Sequence, residues 1–264
     1  MTGGRHARLP GQGEEFYGHR PYYEGDDLRR VDWHAYQRTG HTYVKEMTRG
    51  VEGRLAVIVD ASASMCFGEP TRFTLARRTA LLLAGAMSED VRVQVTLAGE
   101  GETVFAGKKF EGLIKFLEQA KADKPGRKGL SIVRRYAKLL YGKGLVVFVG
   151  DFYAEAEETI GNQKFSLGKA PSSTAVAARL LVPADLGPSE DGELDLRSVE
   201  GEGGKVLLWG RGQAEAYRRE WERVTRALFE RLSAAGIRMA DFLPGRSPLD
   251  MALEILAVGG YITR

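Results

Sequence analysis

The sequence predicts an α/β fold: a mostly parallel central sheet flanked by helices, with an N-terminal arm and an inserted β-hairpin. Three observations point there. Two short apolar, β-branched runs, Arg54–Asp60 (RLAVIVD) and Gly144–Asp151 (GLVVFVGD), each end in an aspartate. Such runs read as strands buried on both faces, as in parallel sheets. Segments of helical period alternate with the strand-like runs, the pattern of βαβ units. Finally, 264 residues suffice for a sizeable core, and 43% apolar with 28% charged residues is an ordinary globular composition.

Residues 1–50 stand apart. All four histidines (His6, His19, His34, His41) and five of the ten tyrosines lie here, and no clean period of 2 or 3.6 runs through. The segment reads as an extended arm with short elements, pinned to the body by Phe16, Tyr22, Tyr23, Trp33 and Tyr36. Residues 51–264 form the main domain. Its first strand is Arg54–Val59. Thr71–Met87 has Phe73, Leu75, Ala76, Thr79, Ala80, Leu83 and Met87 near helical spacing, with Arg72, Arg77 and Arg78 read as pointing outward. Val91–Leu97 alternates and reads as a second strand, and Thr103–Ala106 as a short edge strand. Helices are expected at Phe110–Ala120 and Ser131–Tyr141, then the strand Leu145–Val149. Residues 155–174 are polar and small, a loop with one weak helix. Ala177–Val182 is a further strand. Glu193–Val199 and Lys205–Trp209 flank a Gly-rich turn and form the hairpin. Ala214–Ala235 is the longest helix, with Tyr217, Trp221, Leu228 and Leu232 on one side. Ile237–Phe242 and Pro248–Ala257 close the chain as strand and helix.

Composition excludes several functions. A net charge of +3, from 38 basic and 35 acidic residues, gives no broad positive field and argues against a dedicated nucleic-acid binder. One cysteine, Cys66, excludes a disulfide framework and a Cys-rich zinc site; without an adjacent histidine it reads as a small packing residue. The longest uncharged apolar stretch, Thr79–Ser88, is half of what a spanning helix needs, and Met1–Gly13 has no signal-type core, so the expected location is cytoplasmic. No P-loop, dinucleotide loop or G-x-S-x-G elbow occurs. The arginines of the long helix alternate with glutamates, a solvated face.

The chemistry sits in Asp60-Ala-Ser62-Ala-Ser64, directly after the first buried strand. Ligands of parallel α/β sheets bind at the carboxyl ends of the strands, near the switch in strand order. A carboxylate and two hydroxyls at alternate positions offer three oxygen donors, suited to a hard cation such as Mg²⁺. Because the hydroxyls are neutral, a bound ion keeps positive charge and can accept a carboxylate from another molecule. Asp151, at the end of the other apolar run, is placed to join. The bland alternative is that Asp60, Ser62 and Ser64 cap the next helix or close a loop, and that Asp151 is a plain turn residue.

This pattern resembles the metal-ion-dependent adhesion site of von Willebrand factor A-type domains, which have a Rossmann-like fold and a first loop reading Asp-x-Ser-x-Ser. In that family a threonine on an intermediate loop completes the site. Here Gly129-Leu130-Ser131-Ile132 stands in its place, so Leu130 occupies the threonine position and Ser131 is the neighbouring hydroxyl. A second resemblance is carried by Gly13-Glu-Glu-Phe16, Arg20-Pro-Tyr-Tyr-Glu-Gly-Asp-Asp27, Arg29-Arg-Val-Asp-Trp33 and Arg38-Thr-Gly40. These resemble the signature of the bacterial "domain of unknown function 58" family, whose members join it to a von Willebrand A-like domain. Many members carry transmembrane helices ahead of the signature; this sequence has none there. The family is commonly encoded beside MoxR-type AAA+ ATPases. The resemblance therefore implies a non-enzymatic protein-binding module whose metal residues are Asp60, Ser62, Ser64, Asp151 and Ser131, with Mg²⁺ as cofactor. The implied partner is a MoxR-type ATPase or its client. Two alternatives stay open: a metal-free scaffold with a degenerate site, favoured by Leu130, and a metal-dependent hydrolase, for which no general base is placed by any motif.

Overall fold

In a computed structural model of the chain, the described residues are 10–11, 15–22, 31–48, 54–87, 91–99, 101–107, 110–122, 129–142, 144–152, 173–188, 191–197 and 204–261. The chain divides into two units, Met1–Glu52 and Gly53–Arg264.

The first unit holds β1 (Pro10–Gly11), β2 (Glu15–Pro21), α1 (Trp33–Thr39) and β3 (Tyr43–Thr48). β3 is the middle strand of an antiparallel sheet with β1 and β2 on either side. The arm therefore has a small sheet and a helix of its own. Sequence periodicity misses β2 because the β2–β3 register shifts between Phe16 and Gly18, and a bulge breaks the alternation of faces. Asp32 Oδ1 accepts the Ala35 amide at 3.0 Å and so caps α1. Val31, Ala35 and Val44 are buried, whereas Trp33 and Tyr36 are 57% and 45% exposed and meet edge to face at 6.2 Å. Residues 23–30, with the signature charges Glu24, Asp26, Asp27, Arg29 and Arg30, lie outside the described residues.

The second unit contains β4 (Arg54–Asp60), α2 (Arg72–Ala86), β5 (Arg92–Ala98), β6 (Glu102–Gly107), α3 (Phe110–Gln119), α4 (Gly129–Arg135), β7 (Gly144–Gly150), β8 (Thr174–Leu180), β9 (Gly192–Arg197), β10 (Gly204–Trp209), α5 (Arg211–Ala234), β11 (Ile237–Phe242) and α6 (Pro248–Gly259). Six strands form one sheet in the order β11-β8-β7-β4-β5-β6. All neighbours are parallel except β5 and β6. Numbered within this sheet, the order is that of doubly wound sheets, and the strand order reverses between β4 and β7. The expected α/β architecture, with a mostly parallel sheet and helices around it, is present. So is the hairpin, β9 with β10, paired from Gly204 opposite Arg197 to Trp209 opposite Gly192.

The core lies on both faces of the sheet. Ile58, Phe148, Ala177 and Ile237 share one cluster with Val133, Leu140, Leu228 and Leu232, beneath α4 and α5. Leu55, Val57 and Val59 alternate to the opposite face, where α2 and α6 pack on the sheet and on each other. Two expectations need correction. The helix expected over Ser131–Tyr141 ends at Arg135 and continues as a 3₁₀ turn, Ala137–Tyr141. The strand expected at Ala177–Val182 runs from Thr174 to Leu180. Residues 155–172 of the expected loop lie outside the described residues.

Candidate cation-type site

β4 delivers Asp60 to the carboxyl edge of the sheet, where it is 1% exposed. Its Oδ1 accepts the Ser62 amide at 2.8 Å, an Asx-type turn that reverses the chain after the strand. Ala61 still donates to Ala98 at 3.1 Å, so the loop starts as an extension of the β4–β5 pairing. The turn sets the two serines side by side: Ser62 Oγ lies 3.1 Å from Ser64 Oγ. A 3₁₀ turn, Ala63–Cys66, follows, and Ser62 makes no side-chain cap bond to it. α2 is capped by Thr71, which accepts the Thr74 amide at 3.1 Å. Asp60 thus closes its loop, but the helix-capping reading fails: α2 has its own cap.

Asp151 follows β7 and is fully buried. The next residue, Phe152, has φ of 56°, a left-handed conformation uncommon for a bulky residue, which turns the chain sharply after the carboxylate. Between the two aspartates stands Gly150. A Cβ there would lie 3.1 Å from Asp60 Cβ and 3.4 Å from its Oδ2, so the Asp60 carboxylate lies across the end of β7. The sheet thereby brings Asp60, Ser62, Ser64 and Asp151 to adjacent strand ends at the switch point. Ser131 is the third residue of α4 and half-buried. Its neighbour Leu130, 4% exposed, sits in the core cluster with Ala98 and Phe152, which adjoin the same edge. An apolar side chain so placed supplies no ligand.

Two further residues belong here that sequence reasoning misses. Arg72, expected to point outward, is 3% exposed. Its Nη1 donates to the Ser64 carbonyl at 2.8 Å and stands 4.0 Å from Asp151 Oδ2. Its Nη2 bonds the Oδ1 of Asp185, itself 6% exposed. Asp185 Oδ2 accepts the Val182 amide at 2.7 Å, and its backbone carbonyl accepts the Tyr217 hydroxyl at 2.7 Å. The four named ionisable groups comprise three carboxylates and one guanidinium. A sequence signal for Arg72 existed: a cation at the first position of a helix opposes the macrodipole and calls for a local reason.

As a donor set, Asp60, Ser62, Ser64 and Asp151 supply only oxygens, two of them anionic carboxylates; this fits a hard divalent cation and not a soft one. Among the described residues no trio of His, Cys, Asp or Glu is grouped to hold a metal ion. Cys66, expected as a small packing residue, is exposed, with its thiol donating to the Ala122 carbonyl. A separate cavity of about 640 Å³ is lined by Arg179, Trp221, Phe229 and Asp241 among others. There Arg179 is held by Asp241 at 2.9 Å and by Thr225 at 3.1 Å. Among the described residues no helix is long and apolar enough to cross a membrane.

Residues 18–230 match a family described as "Protein of unknown function DUF58". Over 60 residues the chain is 43% identical to an uncharacterized protein of Mycobacterium bovis and to one of Mycobacterium tuberculosis; the match covers 23% of this chain and only 19% of each relative. Among solved structures, an aerotolerance-related membrane protein from Bacteroides fragilis is similar at 14% identity and a TM-score of 0.44, over 79% of this chain and 99% of that one. A von Willebrand factor type A protein from Catenulispora acidiphila is similar at 13% identity and a TM-score of 0.39, over 80% of this chain and 43% of that one.

Proposed function

The chain belongs to the DUF58 family, a family of unknown function, and from that premise we propose that it is a non-enzymatic protein-binding module built around a cation-type site. One observation carries the reading: Asp60, with Ser62 and Ser64 fixed 3.1 Å apart by its turn, lies beside the strand end that bears Asp151. Asp60, Ser62, Ser64 and Asp151 would hold Mg²⁺, with Ser131 as the neighbouring hydroxyl. A hard cation held by oxygens keeps exchangeable positions, and through one of them it binds a carboxylate of the partner. The chain's own residues orient the site: Asp60 shapes the loop and Gly150 leaves room for its carboxylate.

The partner we propose is a MoxR-type AAA+ ATPase or its client, from the genomic company that this family keeps. A non-enzymatic role is supported by the placement of all four histidines within residues 1–50 and by the lack of a P-loop or nucleophile elbow. A second reading, a metal-free scaffold, is favoured by Leu130, whose side chain is given to the core.

The test is the affinity of wild type and Asp60→Ala for the MoxR-type ATPase of the same organism, each with Mg²⁺ and with chelator. The expected result is an affinity at least about tenfold higher for wild type with Mg²⁺ than in the other three conditions, the scale of one lost charged contact. Equal affinities in all four conditions leave the scaffold reading alone.

A further inference from the structure

Arg72 is expensive where it stands. It opens α2, where a cation opposes the helix dipole, and at 3% exposure it has given up almost all its water. Its position is nevertheless held on several sides. The Ser64 carbonyl accepts one arm at 2.8 Å, Asp185 accepts the other, and the Phe67 ring lies 5.6 Å from the guanidinium carbon. The first arm also stands 4.0 Å from Asp151 Oδ2. Ser64 therefore turns its hydroxyl toward Ser62 while its carbonyl engages Arg72. Arg72 thus contacts or adjoins two of the residues assigned to the cation.

Resting on the cation-site reading, we infer that Arg72 is a built-in competitor for the cation. It is a fixed positive charge that shares Asp151 and the Ser64 loop with the ion and holds the affinity for a divalent cation low. Asp185 sets the strength of that competition, because it draws the guanidinium away from Asp151. A positive charge so near an ion site lowers affinity for a divalent ion by about tenfold or more, even with strong screening. A weak site of this kind fills best when an anionic ligand arrives with the ion, so that cation and partner carboxylate bind cooperatively.

The test is a Mn²⁺ titration, with free Mn²⁺ followed by electron paramagnetic resonance, on wild type, Arg72→Gln, Arg72→Lys and the double variant Arg72→Gln/Asp185→Asn. The double variant removes both members of the buried pair and leaves no orphaned charge, so the question can be answered even where Arg72→Gln does not fold. The expected result is Mn²⁺ binding at least about tenfold tighter in Arg72→Gln than in wild type, and tighter by about twofold in the double variant, which also loses the Asp185 charge, with Arg72→Lys close to wild type. Wild-type binding that is unchanged or weakened by removing the guanidinium overturns the inference and leaves the cation-site reading standing. Binding only in the variants without Arg72's charge supports the inference and turns the native chain into the metal-free scaffold. No binding in any protein overturns both.

Discussion

Tyr217 shows how single residues tie the site's surroundings together. Its hydroxyl donates to the Asp185 carbonyl, and its ring meets Trp209 at 5.9 Å and Trp221 at 6.2 Å. Burial, and secondarily the Asp185 carboxylate, hold its phenol above the ordinary tyrosine range. Both causes disfavour the phenolate, so the contribution of Tyr217 to stability is fully present below the unfolded value of about 10 and is lost as pH rises through the raised folded value. Tyr217→Phe should cost about 1 kcal/mol at pH 7, the usual net worth of one hydrogen bond. Urea midpoints of the two proteins should converge above about pH 10; a gap that is constant or widens with pH would show that the hydroxyl bond does not carry the difference. Arg72 teaches the complementary lesson. Its placement depends on Asp185, 113 positions away in sequence, and no local period reports such a partner. Helical spacing places it beside Phe73 and Ala76, both buried, but charge alone argued for solvent.

Among the elements, β7 depends most on one residue. Gly144 opens the strand at φ of 127°, and a Cβ there would stand 2.1 Å from the Arg54 carbonyl oxygen of β4. The atom in the way is backbone, so β4 and β7 would have to part. Gly144→Ala should destabilise the chain by about 3 kcal/mol, combining overpacking and backbone strain. Thermal unfolding checks this; a midpoint within 2 °C of wild type, against the fall of about 6–12 °C that about 3 kcal/mol brings in a domain of this size, would mean that the pairing of Arg54 with Gly144 tolerates a side chain. Strands such as β4 and β7 are legible because burial on both faces leaves a continuous apolar run with an aspartate at its end. α4 is overextended by sequence reading because Ile132, Val133, Tyr136 and Leu140 keep a spacing of three to four, which over so few residues does not separate a 3₁₀ turn from an α-helix. β2 is illegible because its bulge offsets the alternation.

At the scale of the whole molecule, strand order does what no motif can: it places the ends of β4 and β7 side by side at the switch point. The oxygen-donor part of the candidate site was readable, since Asp60, Ser62, Ser64 and Asp151 each follow a recognisable strand. The Arg72–Asp185 pair was not, because its members meet only once the loops after β4 and β8 have folded over the same edge. Asp60, Ser62, Ser64 and Asp151 are proposed to make one divalent-cation site. Mn²⁺ accepts the same oxygen donors as Mg²⁺, and its anomalous scattering locates it directly. Crystals of the full chain and of Asp60→Ala, each grown in saturating Mn²⁺, should show one strong anomalous peak within coordination distance of the Ser62 and Ser64 hydroxyls in wild type and none there in Asp60→Ala. An ordered wild-type loop with no peak at those hydroxyls, or a peak that persists in Asp60→Ala, would contradict the assignment.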